Sequence, residues 1–524
     1  MPVDSIGSLA PLIDAQVLNL TGEDTPQIYT LCGKGPRSAL RVLKHGLEVS
    51  EIAVSELPGI PSALWTVRIS ASDQFDRYIV ISFVNATLVL SIGDSVEEVT
   101  DTGFLVSTAT LSVSELGDDG LVQVYAHGIR HIRQDRRVSE WRTPKGLTIL
   151  HACCNKRQVA VALSSGEIVY FELDRSDNLN EYQEHKEMGQ VASITLSPIS
   201  EGRQRAQFLA VGCMDNTVRM LSLDPSNCLE ELSLQALSAT PTALALNEMV
   251  DSTSGITSLF LNIGLGNGVL LRTTVDSVTG VLTDSRLRFL GAKPIKLFSV
   301  QIAGQAALLA LSTSPWLSYS YQSRQRLVPL TYEAIEYGSS FSSEQCQEGM
   351  VVISGSTLRI ISVDKLGGVF NQSSIKLKYT PRRFVFDEPS KAFVIIEADH
   401  NVLCDSELQK RLGQRTDMSD DDYSILDPEV FGTPAAGEGK WASCIRLLDP
   451  VSAETHDLIE LTNNEAAVSI CVGTFSSHPR ETLYVVGSSS DRTFNPPRAS
   501  EGFISIFRIT QDKKFELIHK VLFI

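Results

Sequence analysis

One unit recurs eight times between Gln27 and Asp364: an apolar strand, a tight polar turn, then a second apolar strand. The plainest copies run from Tyr78 to Ile92, Val161 to Asp174, Ala210 to Asp224, Leu261 to Asp276 and Val351 to Asp364. Weaker copies read TLCGKGPRSALRVL, VQVYAHGIRHI and LLALSTSPWLSYSY. The turns fall near Pro36, Asn85, His127, Ser165, Asn216, Asn267, Pro315 and Gly355, so the step is 38 to 51 residues. That step is the length of one four-stranded blade of a β-propeller. A blade cannot bury both of its faces alone, so such units must stack and close into a ring.

Within each hairpin both faces of the first strand are apolar, as in LFLNIGL and VVISG. The second strand follows suit with one polar break, as in TVRMLSL and TLRIISV. Sheets stacked face to face produce this pattern, because both sides of each blade meet a neighbour. Ser165-Gly166, Asn267-Gly268, His127-Gly128 and Asp215-Asn216 supply the turn chemistry, and Asn85 fits a turn through its tolerance of positive φ. Asp174, Asp224, Asp276 and Asp364 each come 8 or 9 residues after a hairpin turn. They are expected to turn the chain from the third to the fourth strand by hydrogen-bonding their own backbone.

Eight hairpins allow an eight-bladed ring, or a seven-bladed ring plus an orphan. After Thr380 the pattern resumes with RRFVF, FVIIEADHNVLC, WASCIRLLDP and LYVVG…FISIFRI, too few strands to close a second ring. Ser406 to Gln414 reads as a short helix and Arg415 to Gly432 as an acidic loop. Ser488 to Gly502, rich in Pro, Ser and Arg, reads as a long exposed loop.

Composition narrows the functional classes. A net charge of −17 argues against a chain that coats duplex nucleic acid, which needs clustered cations. The nine cysteines show no CxxC spacing, and several (Cys32, Cys213, Cys471) lie inside apolar strands, the pattern of reduced, buried thiols. No apolar leader follows Met1, and the longest apolar stretch, Tyr78 to Ile92, is too short to span a bilayer, so a soluble protein is expected.

Catalytic signals are absent from the sequence. None of the nine histidines pairs with Cys, Asp or Glu at metal-ligand spacing, and His127 and His131 flank a turn. There is neither a GxSxG elbow nor a GxxxxGK[ST] loop. Gly33 to Ser38 (GKGPRS) could hold a phosphate, but it precedes no helix and reads as a plain turn. Glu97-Glu98 and Asp118-Asp119 read as surface solvation, and the first strands of the hairpins carry almost no carboxylate, Glu397 excepted. Gly128 to Arg137 (GIRHIRQDRR) is the densest basic run. It could meet RNA or an acidic partner, or could be a charged edge that blocks strand pairing. The expected assignment is no catalytic, cofactor-binding or metal-binding residue, no cofactor and no enzyme activity.

No Trp-Asp dipeptide closes any blade, so this propeller is not of the WD type. Longer runs such as LRVLKHGLEVSE, ISFVNATLVL and YTPRRFVF resemble the three-propeller family. That family holds the large subunit of the damaged-DNA-binding protein, the largest cleavage-and-polyadenylation specificity subunit and the large propeller subunit of splicing factor 3b. DNTVRMLSLDPSNCL, LNIGLGNGVLLRT and PWLSYSYQSR look like the splicing branch, and a short acidic segment at Asp417 to Asp422 is similar to fungal members. The resemblance implies an all-β fold: a seven-bladed β-propeller of non-WD type followed by an incomplete second propeller. Residues 1–45 would be a remnant of the last blade of a missing first propeller, 46–379 the complete ring, and 380–524 the first blades of a truncated third propeller. It further implies a nuclear, non-enzymatic scaffold of splicing factor 3b in the U2 small nuclear ribonucleoprotein, acting in branch-site recognition. Its partners would be the subunits of that complex, including the HEAT-repeat subunit, with indirect association to small nuclear RNA and pre-mRNA, and no membrane or small-molecule substrate. The alternatives are a ubiquitin-ligase adaptor in damaged-DNA recognition, or a pre-mRNA cleavage and polyadenylation subunit.

Overall fold

A computed structural model of the protein describes residues 8–20, 26–93, 95–182, 185–200, 202–250, 257–322, 324–363, 365–367, 370–404, 436–437, 439–476 and 478–523. The helix and acidic loop expected at 406–432 lie outside these residues. Among the described residues the chain is built of strands, and its one helical element is the 3-10 turn Gly35–Arg37. It forms two units, residues 46–369 and residues 1–45 with 370–524.

The first unit contains seven sheets, which we call blades one to seven in chain order: 63–98, 110–142, 149–187, 191–236, 241–289, 296–331 and 337–362. The last two are completed from the chain's start: Leu47–Glu48 runs parallel to the end of Arg324–Thr331, and Ser50–Glu56 pairs antiparallel with Thr357–Ser362. The first strands of successive blades pack against one another in cyclic order, and that of blade seven, Tyr337–Phe341, meets that of blade one, Ala63–Val67. The ring is therefore closed, a β-propeller as expected.

The two-residue period explains how each blade serves two neighbours. In Gln158–Leu163, Val159, Val161 and Leu163 face blade two, while Ala160 and Ala162 face blade four. In Phe208–Cys213, Leu209, Val211 and Cys213 turn back to blade three, and Phe208 and Ala210 turn on to blade five. Both faces of these strands are buried, so they read as unbroken apolar runs. The junction that closes the ring is packed the same way, with Leu64, Ile79 and Ile81 of blade one against Val351, Ile353 and Leu358 of blade seven. Each such Leu, Ile or Val contributes about 1.5–3 kcal/mol by leaving water.

All eight hairpins of the sequence pattern are present. Asn216 takes φ 61° and Gly268 φ 79°, as their turns require, whereas Asn85 is not among the residues with positive φ. Gly128 is needed for a different reason: a Cβ there would lie 2.3 Å from the Trp141 carbonyl oxygen. The aspartates after the third strands do bind their own backbone. Asp174 Oδ1 accepts from the N–H of Ser176 (2.7 Å), Asp224 Oδ1 from Ser226 (2.9 Å) and Asp276 Oδ1 from Thr279 (2.8 Å). Asp364 lies outside the described residues.

Among the described residues the second unit holds three stacked four-stranded sheets and one two-stranded ladder. Gln27–Cys32 and Ala39–His45 form the first, with Leu12–Leu18 on one side and Phe370–Lys376 on the other. Here the pairing differs from the expected boundaries. Phe370–Lys376 leaves the ring to bond to Ala39–His45, from Ala39 opposite Lys376 to His45 opposite Phe370, so the ring ends near 369. Leu31 and Leu40 of this sheet pack on Phe384 and Phe393 of the next. The segment 488–502 also departs from a long loop. The strands His478–Ser490 and Glu501–Ile509 stay paired out to Ser490 opposite Glu501, and Thr493–Phe494 pairs with Pro497–Arg498. The reason is that small serines fit inside a ladder when their hydroxyls are bonded: Ser488 is 7% exposed and donates to Glu465.

Candidate interaction surface

The first strand of each blade lines the centre of the ring, where an enzyme would place its reacting groups. These strands carry two carboxylates, Glu115 and Glu248, a signal missed by reading the hairpins alone. Each is engaged across a blade junction: Glu115 lies 3.0 Å from Lys156 Nζ, and Glu248 Oε1 accepts from Ser200 Oγ at 2.6 Å. Other polar groups at the junctions do the same. Ser193 Oγ donates to the Pro241 carbonyl (3.1 Å), Thr242 Oγ1 to that of Ile295 (2.8 Å), and Asn247 Nδ2 to Ser299 Oγ (3.0 Å). Chemically this arrangement joins blades.

The basic run Gly128–Arg137 is not an edge. Its strand Gly128–Arg133 is third in blade two and is covered by Val138–Arg142, which corrects the reading of a charged edge. The fourth strand was not visible because VSEWR is short and exposed. The cations are matched locally: Arg130 lies 3.9 Å from Glu140, Arg133 3.3 Å from Asp177, Arg137 3.0 Å from Asp135, and Arg136 bonds Asp101. Charge balanced in this way weakens the case for phosphate binding. His127 is exposed, whereas His131 is 2% exposed and burial holds its pKa below the usual histidine value despite Asp177 at 3.9 Å.

Elsewhere the singled-out residues are structural. In Gly33–Ser38 the Gly35 N–H donates to Thr380 Oγ1 at 2.9 Å, as a bonded turn. Glu97 accepts from Ser95 (2.8 Å) on an exposed strand, and Asp119 accepts from Ser70 Oγ. Glu397 is fully buried, 2.6 Å from Arg446 Nε, and accepts from the N–H groups of Lys378 and Tyr379 at 2.8 Å. All nine cysteines are free thiols. Burial pushes the Cys153 and Cys154 thiols up, Cys154 to about 12, so neither is a ready nucleophile at neutral pH. Among the described residues no group of three His, Cys, Asp or Glu could hold a metal, and no helix is long and apolar enough to cross a membrane.

Two hollows lie on blades two to four. One of about 640 Å³ is lined by Arg157, Glu172, Tyr182 and Pro225, and an adjoining one of about 710 Å³ by Asp118, Lys156, Arg175 and Arg203. Glu172, 9% exposed, bridges Arg157 and Arg205 at 3.1 Å each, which fixes the floor of the groove. The remaining charges come from loops of three blades, so no single stretch of sequence announces them. Both signs are interspersed around the groove, as on an ordinary solvated surface.

The RSE1/DDB1/CPSF1 second β-propeller family matches residues 49–363, and the CPSF A subunit region matches 442–522. The chain is 53% identical over 523 residues to a pre-mRNA-splicing factor rse1 of Emericella nidulans, with 99% of this chain and 43% of that protein covered. It is 50% identical over 545 residues to splicing factor 3B subunit 3 of Danio rerio (99% and 45% covered). It is 48% identical to spliceosome-associated protein 130 A of Arabidopsis thaliana, again with 99% and 45% covered. The chain thus spans a little under half the length of the relatives it matches.

Proposed function

Because this chain belongs to the RSE1/DDB1/CPSF1 β-propeller family, we propose that it is a non-enzymatic scaffold of the splicing factor 3b complex. In that role it acts within the U2 small nuclear ribonucleoprotein during branch-site recognition, in the nucleus. The observation that carries this reading is identity of about half over 99% of the chain to proteins named as splicing factors in an animal and a fungus and as a spliceosome-associated protein in a plant. The molecule is suited to the work: a ring closed by a packed junction keeps its outer surface rigid, and its inner polar groups are used to join blades. Its partners in this reading are the protein subunits of the complex, the HEAT-repeat subunit among them, with RNA associated through those neighbours. The three sheets of the second unit are, on the same reading, blades of further propellers of the longer relatives.

Affinity purification of the tagged protein from nuclear extract tests this. Splicing factor 3b subunits and U2 small nuclear RNA are expected in the eluate. Recovery of cullin-ligase or polyadenylation subunits in their place would overturn the reading in favour of another branch of the family.

A further inference from the structure

The outer edges of blades five and six hold a cationic cleft that the splicing reading does not use. Asn262, Arg272 and Arg286 lie side by side across three neighbouring strands of blade five, Asn262 opposite Arg272 and Arg272 opposite Arg286. Arg288, two residues further along the outermost strand, falls on the same face. Blade six supplies Gln325 and Arg326 from the other side, enclosing about 200 Å³ with no carboxylate among the lining residues. In an adjoining hollow of about 280 Å³ the sole acidic group is Asp284. On a chain of net charge −17, four arginines gathered against a single aspartate are a local reversal of sign.

Edge arginines by themselves commonly do no more than discourage strand pairing. Two observations go beyond that. The Asn262 side chain is 2% exposed, lines the cleft and leaves Nδ2 without a hydrogen-bond partner, a cost that a ligand oxygen would relieve. The same outer strand, Leu282–Phe289, also presents Leu287 (68% exposed) and Phe289 (64% exposed) on the face opposite Arg286 and Arg288. A protected edge avoids such residues. Arg286 and Arg288 make no ion pair among the described residues, and no strand there pairs with the outer side of Leu282–Phe289.

We propose that this edge binds an extended acidic segment of a protein partner, which adds as a further strand to blade five. Its carboxylates would reach Arg286 and Arg288 in the cleft, and its alternate apolar side chains would cover Leu287 and Phe289. The apolar half of the edge is what selects a peptide over the sugar-phosphate chain of RNA, which offers nothing to Leu287.

The test uses the whole chain and a fluorescein-labelled decapeptide of alternating Asp and Leu, followed by anisotropy. Saturable binding is expected, weakened about tenfold or more by the pair Arg286→Glu and Arg288→Glu, and weakened by Leu287→Ser with Phe289→Ser. All four positions are exposed, so the variants should melt with the parent, and circular dichroism verifies that. Absence of saturable binding, or binding indifferent to the charge reversal, would overturn the proposal. So would an oligouridylate of equal charge that binds more tightly than the peptide and is lost in the same variant, since the cleft would then be a phosphate site.

Discussion

Arg359 Nη1 donates to Glu51 Oε2 at 2.8 Å, and these two residues stand at opposite ends of the ring's sequence. Arg359 lies on the third strand of blade seven, and Glu51 on the strand that the chain's start contributes as the fourth. The same guanidinium lies 2.6 Å from Glu333, and Tyr332 donates its hydroxyl to Glu51. The Tyr332 hydrogen bond, then Arg359, holds the Glu51 carboxyl below its usual value. The pair is exposed, so most of the strength of the closure comes from the apolar residues beneath it, and that ranking can be tested.

Ile353→Ala at the closing junction and Leu209→Ala between blades three and four remove fully buried side chains. Each is expected to cost about 2–5 kcal/mol. Both should lower one shared transition in urea unfolding, whereas Glu51→Gln should leave it nearly unmoved. A separate early transition in Ile353→Ala alone would mean that the ring opens before it melts.

A fragment of residues 46–369 should fold by itself, because all seven of its sheets find both neighbours within it. The expected outcome is a soluble monomer with a single cooperative melt. Residues 370–524 without 1–45 lose the strands that cover Phe384 and Phe393, and should aggregate. Equal solubility of the two fragments would contradict this division.

Acidification should destabilise the ring through His131. Burial depresses its folded-state pKa below 6.5, outweighing the upward pull of Asp177, with Arg133 adding to the depression. Below the unfolded value the unfolded chain binds more protons, so the stability is complete above about pH 6.5 and is lost as pH falls toward the folded value. His131→Gln should flatten the dependence of the melting temperature between about pH 7 and 5. A parallel curve for that variant would remove His131 as the source.

Glu397→Ala should be the costlier change in the second unit, at about 3–5 kcal/mol, because it strands the Arg446 charge and two backbone N–H groups out of water. Glu397→Gln, which keeps an acceptor, should cost less. Denaturant unfolding followed through the near-ultraviolet signal of Tyr379 and Trp441 reads both.

The blades were legible in the order of residues alone. An apolar run buried on both faces, a two-residue turn and an aspartate that caps the next connection are local instructions, and Gln158–Leu163, Asn216 and Asp224 carry them out as written. The outer strands were harder to see, since VSEWR and SEIAVSE are exposed and lack an apolar period. Which strand completes which sheet was settled only by long-range packing. Ser50–Glu56 crosses to blade seven and Phe370–Lys376 crosses to Ala39–His45, pairings more than 300 residues apart. The surface sites share that dependence. Arg286 and Arg288 in sequence are two charges on an ordinary strand, and they become half of a cleft only when blade six brings Gln325 and Arg326 opposite them. Hydrogen-bond ladders are indifferent to sequence distance, so closure and cleft follow from the packing of the ring, which no local pattern records.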